Sequence, residues 1–293
     1  MWTHHEAIVN GVRLHYVEAG EGPLVVLLHG FPEFWYSWRH QIPALAAAGF
    51  RVIALDMRGY NLSEKPPGVR SYDIHVLAAD VAALICYAGE ERATVVGHDW
   101  GGAVAWAAAM HHADTMDKLI VLNAPHPVAF LRELRTPAQL RKSWYILFFQ
   151  LPWLPEASNR AGNFAVLRSV FQHDPARRDA FTSADISRYI RAMAQPGALT
   201  ASINYYRATM RRGPRQMQRD VRRINVPTLL IWGEQDRYLG TGLTRGLEKW
   251  VPHLRVECLP HASHWVQHDE PQRVPVLGRQ RRPVVVRREQ GPR

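Results

Sequence analysis

An α/β fold carrying a helical insertion is what the sequence predicts, on three observations. Short apolar runs alternate with helical patterns through the first 125 residues. The alternation then stops, and residues 128 to 223 are rich in Arg and aromatic side chains with helical periodicity. Strand-like runs resume only after this stretch, as expected when a cap is inserted into a sheet that is completed afterwards.

The strands come in order as residues 12–19 (VRLHYVEA), 24–29 (LVVLLH), 51–55 (RVIAL), 93–97 (ATVVG) and 118–122 (KLIVL). The later ones are continuous apolar runs, which suits parallel strands covered by helices on both faces. Residues 35–48, 73–88 and 100–112 are long enough for the crossover helices. Within the insertion, Pro137, Pro152, Pro155, Pro175, Pro196 and Pro214 divide the helical pattern into pieces. Residues 226–232 (VPTLLIW) and 254–259 (LRVECL) then read as strands with a helix over 241–250 between them. The resulting divisions are 1–127 and 224–270 for the sheet-bearing part, 128–223 for the cap and 271–293 for a tail. In that tail Pro271, Pro275, Gly278 and Pro283 interrupt any closing helix, which predicts a divergent, partly disordered basic segment.

Composition limits the class of protein. The 293 residues are 47% hydrophobic and 21% charged, which describes an ordinary globular chain and excludes collagen-like or disordered sequences. The net charge of +10 would by itself suggest a polyanionic partner. Its distribution argues otherwise, because residues 1–129 carry 8 basic and 13 acidic side chains, whereas 130–223 carry 17 and 6. The excess lies on the cap and the tail, so neither nucleic acid nor a membrane is expected as a partner. Cys86 and Cys258 are too few for a disulfide framework. With no basic-then-apolar leader and no apolar run near 18 residues, the expectation is a cytoplasmic protein. The sequence leaves a homo-oligomer open.

The chemistry concentrates at strand ends. The strand ending at Gly97 runs into Gly97-His98-Asp99-Trp100-Gly101-Gly102 and then an Ala-rich helix. Glycines flanking one polar residue permit the sharp strand-to-helix turn of a nucleophile elbow, here with Asp99 in the central place. The bland alternative is an Asp that merely caps the helix. A carboxylate with a reference pKa near 3.9 needs no base to attack an sp3 carbon, so a histidine is required only to hydrolyse the ester that results. Asp236 and His264 each follow a strand, at Gly233-Glu234-Gln235-Asp236 and His261-Ala262-Ser263-His264-Trp265. Their chain order, Asp99, Asp236, His264, is nucleophile, acid, histidine. Asn123 follows the preceding strand but lacks a carboxylate, which leaves Asp236 as the better orienting acid. His29-Gly30-Phe31-Pro32 closes another strand and nominates the backbone N–H groups of Phe31 and Trp100 as an oxyanion hole.

With these residues assembled, the chain resembles an α/β-hydrolase-fold epoxide hydrolase. The matching segments are His29 to Glu33, Asp56-Met57-Arg58-Gly59-Tyr60, Gly97 to Gly102, Trp232 to Asp236 and Ala262 to Trp265, within a resemblance that runs from about residue 8 to 272. It implies two cap tyrosines that hydrogen-bond the epoxide oxygen, and these match Tyr145 in Trp144-Tyr145-Ile146-Leu147-Phe148-Phe149-Gln150 and Tyr206 in Asn204-Tyr205-Tyr206-Arg207. Tyr205 competes with Tyr206 for the second place. A phenol with pKa near 10 can donate to an alkoxide while staying neutral itself. The resemblance further implies a small apolar epoxide and water as reactants, a vicinal diol as product and no metal or organic cofactor. Trp35, Trp100, Trp144, Phe149 and Trp153 suggest an apolar pocket, with Trp35 and Phe149 foremost. The alternatives are a dehalogenase sharing the Asp nucleophile, or a non-catalytic small-molecule receptor on the same fold. Haloalkane dehalogenases typically have Asn where this chain has Phe31, and fluoroacetate dehalogenases have Arg where it has Trp100.

Overall fold

The computed structural model describes residues 2–275. Eight strands form one sheet: β1 (Thr3–Val9), β2 (Val12–Ala19), β3 (Leu24–Leu28), β4 (Arg51–Leu55), β5 (Ala93–His98), β6 (Met116–Leu122), β7 (Thr228–Gly233) and β8 (Leu254–Leu259). Their spatial order is β1-β2-β4-β3-β5-β6-β7-β8. β2 pairs antiparallel with β1 and β4, and the remaining neighbours are parallel. All five residues of β3 and all six of β7 are buried, which is why these strands are unbroken apolar runs.

The helices flanking the sheet are α1 (Gln41–Ala46), α2 (Ile74–Tyr87) and α3 (Trp100–His111). The single helix expected over 35–48 is instead a 3-10 turn at Trp35–Trp38 followed by α1. A continuous helix would place Pro43 in its interior, whereas in α1 it falls in the first turn, where a missing N–H costs little. Residues 241–250 also depart from expectation, forming only a 3-10 turn at Thr241–Thr244. The chain is already extended at Arg245 (φ −104°, ψ 155°) and turns to φ 69° at Gly246, so no helix continues there.

Between β6 and β7 come six helices: α4 (Pro127–Glu133), α5 (Pro137–Lys142), α6 (Trp144–Phe148), α7 (Leu154–His173), α8 (Ser183–Met193) and α9 (Ala198–Asp220). Pro127, Pro137 and Pro155 occupy first-turn positions of α4, α5 and α7. Gly213, at φ 71° and ψ 165°, leaves the helical path just before Pro214, so α9 is two helical pieces joined there, as the proline pattern predicts. A short α10 (Val266–Asp269) follows β8. No described helix is long and apolar enough to cross a membrane. The tail expectation falls mainly on residues 276–293, which lie outside the described residues.

The turn from β5 into α3 is the tightest point of the fold. Asp99 sits there at φ 50°, ψ −118°, a conformation that L residues adopt only under constraint. Space for it exists because Gly97 and Gly101 carry no side chain. A Cβ on Gly101 would lie 2.2 Å from the Leu28 carbonyl oxygen, and one on Gly97 would lie 2.3 Å from that of Gly101. Both neighbours are backbone, so neither can swing aside. We expect Gly101→Ala to lower unfolding free energy by about 3 kcal/mol, the upper end for an overpacked site. Urea denaturation would measure it, and a loss under about 0.5 kcal/mol, typical of a neutral surface change, would refute the packing argument.

Candidate active site

Asp99 begins α3, yet its side chain makes no cap bond to the helix. The simple N-cap alternative is therefore not what the structure contains. The carboxylate turns out of the elbow, and its Oδ1 accepts the Phe31 N–H at 2.8 Å. Trp100 is the first residue of α3, so its N–H belongs to the first turn, whose donors have no intrahelical acceptor.

On the other side of Asp99 stands His264, with Nε2 3.7 Å from Asp99 Oδ2. Its Nδ1 lies 2.7 Å from Asp236 Oδ2, which fixes Nδ1 as the protonated nitrogen and turns Nε2 toward Asp99. Asp236 is itself held by four groups. Its Oδ1 accepts the N–H groups of Tyr238 and Leu239 at 2.7 and 2.9 Å, and Oδ2 also accepts the Asn123 amide at 2.7 Å. Asn123 thus supports the acid, although it lacks the carboxylate that drew attention to Asp236.

The electrostatics follow from these contacts. Burial alone would raise the Asp236 carboxyl, but the neighbouring His264 and the donated hydrogen bonds outweigh it and hold it below its usual value. Burial alone would likewise lower His264. The charge and hydrogen bond of Asp236, reinforced by the charges of Asp99 and Glu33, raise it instead to about 9. His264 is thus an imidazolium at neutral pH in the free protein.

The cap closes over this dyad with aromatic side chains. Tyr145, on α6, and Tyr206, on α9, have ring centroids 5.9 Å apart at 80°. Burial and the charge of Asp99 push both phenols well above their ordinary range, so they remain protonated donors. Tyr205 is committed elsewhere, because its hydroxyl donates to the Arg58 carbonyl at 2.6 Å. Two apolar cavities, of about 290 and 380 Å³, meet at Asp99, Tyr145 and Tyr206, which line both. Phe149 lines the larger with Phe31 and His264, as does Trp144, while Trp100 lines the smaller. Trp35 requires correction: it lines neither cavity. Its N–H donates to Asp56 Oδ1 at 3.0 Å and its ring packs edge-on against Trp2 and His4. Trp153 is 72% exposed and lines neither.

A polar layer beneath the dyad escaped the sequence reading. Glu33 is fully buried, with Oε2 accepting the Gly30 N–H at 3.1 Å and facing His98 Nδ1 at 2.8 Å. Its Oε1 accepts from Ser37 and Gln267 and faces His268 Nε2 at 3.2 Å. His98 Nε2 reaches the His264 carbonyl at 2.9 Å, tying the histidine loop to the elbow. These contacts hold the Glu33 carboxyl well below its usual value despite burial. Glu33 and His98 both stand inside motifs singled out above, but no spacing rule tells a buried support from a turn residue.

Because Asp236 is the foremost group raising His264, Asp236→Asn should lower the His264 pKa from about 9 toward or below its ordinary value. The window in which His264 is cationic then contracts from the alkaline side. Titration of the His264 ring by NMR in both proteins checks this, and an unchanged midpoint would assign the shift to Asp99 instead.

Comparison with known proteins agrees with this geometry. The α/β hydrolase fold family matches residues 23–271. The AB hydrolase superfamily protein YfhM of Bacillus subtilis is 47% identical over 266 residues, covering 89% of this chain and 91% of that protein. Human epoxide hydrolase 4 is 40% identical over 270 residues, covering 89% of this chain and 73% of that one. Among solved structures, the Bacillus megaterium epoxide hydrolase in complex with an inhibitor superposes with a TM-score of 0.84 at 36% identity, covering 94% and 98% of the two chains. An epoxide hydrolase from Vigna radiata gives a TM-score of 0.81 at 28% identity, with 94% and 96% coverage. The chain belongs to the α/β hydrolase fold family and, within it, to the group that contains the epoxide hydrolases.

Proposed function

We propose that this chain is an epoxide hydrolase that converts small apolar epoxides to vicinal diols through an ester on Asp99. The observation that carries the proposal is the meeting of one carboxylate, Asp99, with two protonated phenols, Tyr145 and Tyr206, on the lining that two apolar cavities share. A ring oxygen needs a neutral donor, a ring carbon needs an anionic nucleophile, and the substituents need dry space on both sides. The relatives named epoxide hydrolases support the same reading. Two exposed free cysteines among the described residues fit a cytoplasmic setting.

Asp99 Oδ1, which already accepts the Phe31 N–H, is the oxygen suited to become the ester carbonyl. Oδ2 then bonds the oxirane carbon, the C–O bond of the ring breaks, and the leaving oxygen takes a proton from Tyr145 or Tyr206. In the second step neutral His264, oriented by Asp236, removes a proton from water, which attacks the Asp99 carbonyl carbon. The Phe31 and Trp100 N–H groups hold the oxyanion until the diol departs. Phe149, with Phe31, forms an apolar wall at this site.

A single turnover in 18O-water should place the label in the Asp99 carboxylate and leave the first-formed diol unlabelled. His264→Gln should open the ring and then accumulate the ester, visible as a mass increase on the protein. Label in the first diol would exclude the covalent route.

The adjacent tyrosines provide a second test. Tyr206→Phe should slow ring opening by about 10²-fold, the lower end for general acid catalysis, whereas Tyr205→Phe should leave that rate within about threefold and mainly lower stability. Stopped-flow single-turnover kinetics on styrene oxide separates them. A slow Tyr205→Phe beside a normal Tyr206→Phe would reverse the assignment, and halide release from bromoalkanes without diol formation would favour the dehalogenase alternative.

A further inference from the structure

One buried side chain of the cap touches both halves of the site without lining either cavity. Gln139, on α5, is 3% exposed and has partners on each polar atom. Its Nε2 donates to Ser143 Oγ at 2.9 Å and to the Tyr238 carbonyl at 2.8 Å, and its Oε1 accepts the Gly240 N–H at 2.9 Å.

The two ends of that bridge carry different chemistry. Ser143 is the N-cap residue of α6, and Tyr145 follows two positions later. Tyr238 and Gly240 belong to the loop that begins at Asp236, and the Tyr238 N–H is itself one of the donors that fix the Asp236 carboxylate. The Tyr238 ring stands between the two sites, with its centroid 5.7 Å from that of Tyr145 and 5.3 Å from that of His264. Its hydroxyl is anchored on Asp174, at the C-terminal end of α7. Lys142, also on α5, adds a bond to the Asp236 carbonyl at 2.6 Å.

We propose that Gln139 is a positioning residue: it sets the phenol of Tyr145 at the distance from Asp99 that ring opening needs, by fixing α6 against the loop that carries Asp236. Besides the Lys142 and Tyr238 contacts, two arginines join the cap to that side of the sheet. Arg132 donates to the Gly242 and Arg245 carbonyls, and Arg237 pairs with Asp174 at a solvent-exposed position. Those bonds can dock a cap, and Arg237 lies within the Asp236 turn, but neither of them reaches α6. Gln139 reaches both, and its planar amide allows little slack. The inference deepens the function proposed above and rests on the assignment of Tyr145 as a proton donor.

A double-mutant cycle on the single-turnover rate of ring opening tests it, using the full chain and styrene oxide. Gln139→Ala should slow ring opening about tenfold, a size consistent with a misplacement of a fraction of an ångström. Tyr145→Phe should slow it by more, and the double variant should be no slower than Tyr145→Phe alone, because the amide acts only through the phenol. A structural role would instead slow the double variant by the same factor again, and that outcome overturns the proposal. So does Gln139→Ala at the wild-type rate. Ring opening at the wild-type rate in Tyr145→Phe would sink the Tyr145 assignment itself, which is a distinguishable failure. Should Gln139→Ala not fold, Gln139→Met, which keeps the volume and loses the bonds, completes the cycle under the same criteria.

Discussion

The strained backbone of Asp99 is the constraint on which the rest of the site depends. At φ 50° and ψ −118° the residue cannot pass smoothly from β5 into α3, so its carboxylate leaves the helix axis and meets the Phe31 N–H. Strain of this kind costs about 1–3 kcal/mol and persists only where the surroundings over-determine it. Here they do, since α3 packs so close to β3 that no Cβ fits at Gly101. Buried strands on either side leave the turn no route by which to relax. An aspartate capping α3 in the ordinary way would aim at the helix's own N–H groups and be useless as a nucleophile.

Once the carboxylate is fixed, the histidines around it are distinguished by their partners. Four lie within 16 positions near the C-terminus, His253, His261, His264 and His268, and the sequence alone does not rank them. His264 gains Asp236 and rises to about 9. His268 is equally buried, but burial dominates there and lowers it to about 3, so it stays neutral between Arg39 and Glu33. The same fold thus holds one histidine as a titrating group and another as a fixed dipole. Glu33 accounts for much of the rigidity beneath them, because one carboxylate gathers the loop of Gly30, the elbow at His98 and the start of α10.

What the sequence made legible follows from how each element earns its stability. Parallel strands buried on both faces must be apolar throughout, so β3, β5, β6 and β7 were visible. β1 was not, because it lies at the sheet edge with only Ala7 and Val9 buried and reads as polar. The grouping of Asp99, Asp236 and His264 was legible because chain order and strand ends constrain three residues together. Supports such as Asn123, Glu33 and Gln139 carry no such order, and their roles exist only through partners 65 to 113 positions away in several cases. Tyr205 and Tyr206 differ by one step on a helix, so only the face that α9 turns toward Asp99 could decide between them. The basic cap is likewise clearer in three dimensions: Arg207 pairs with Glu156, and Arg212 with Asp73 and Asp220. Some of the cap's arginines therefore work inside the structure as paired groups.

The charge balance of the site ties the two proposed steps together. In the free protein the anionic Asp99 helps keep His264 protonated, and a protonated imidazole is not a base. Ring opening removes the charge on Asp99 by making it an ester, and with it one of the contributions that raised His264. The same step draws a proton from a phenol whose burial makes the resulting phenolate costly. Passing the His264 proton back toward the phenolate relieves both groups at once, restoring a neutral donor and producing a neutral imidazole beside the ester. On this account the imidazolium is a proton reserve that is released when the base is needed. The reserve depends on the nucleophile being a carboxylate, since a serine hydroxyl would carry no charge to lose.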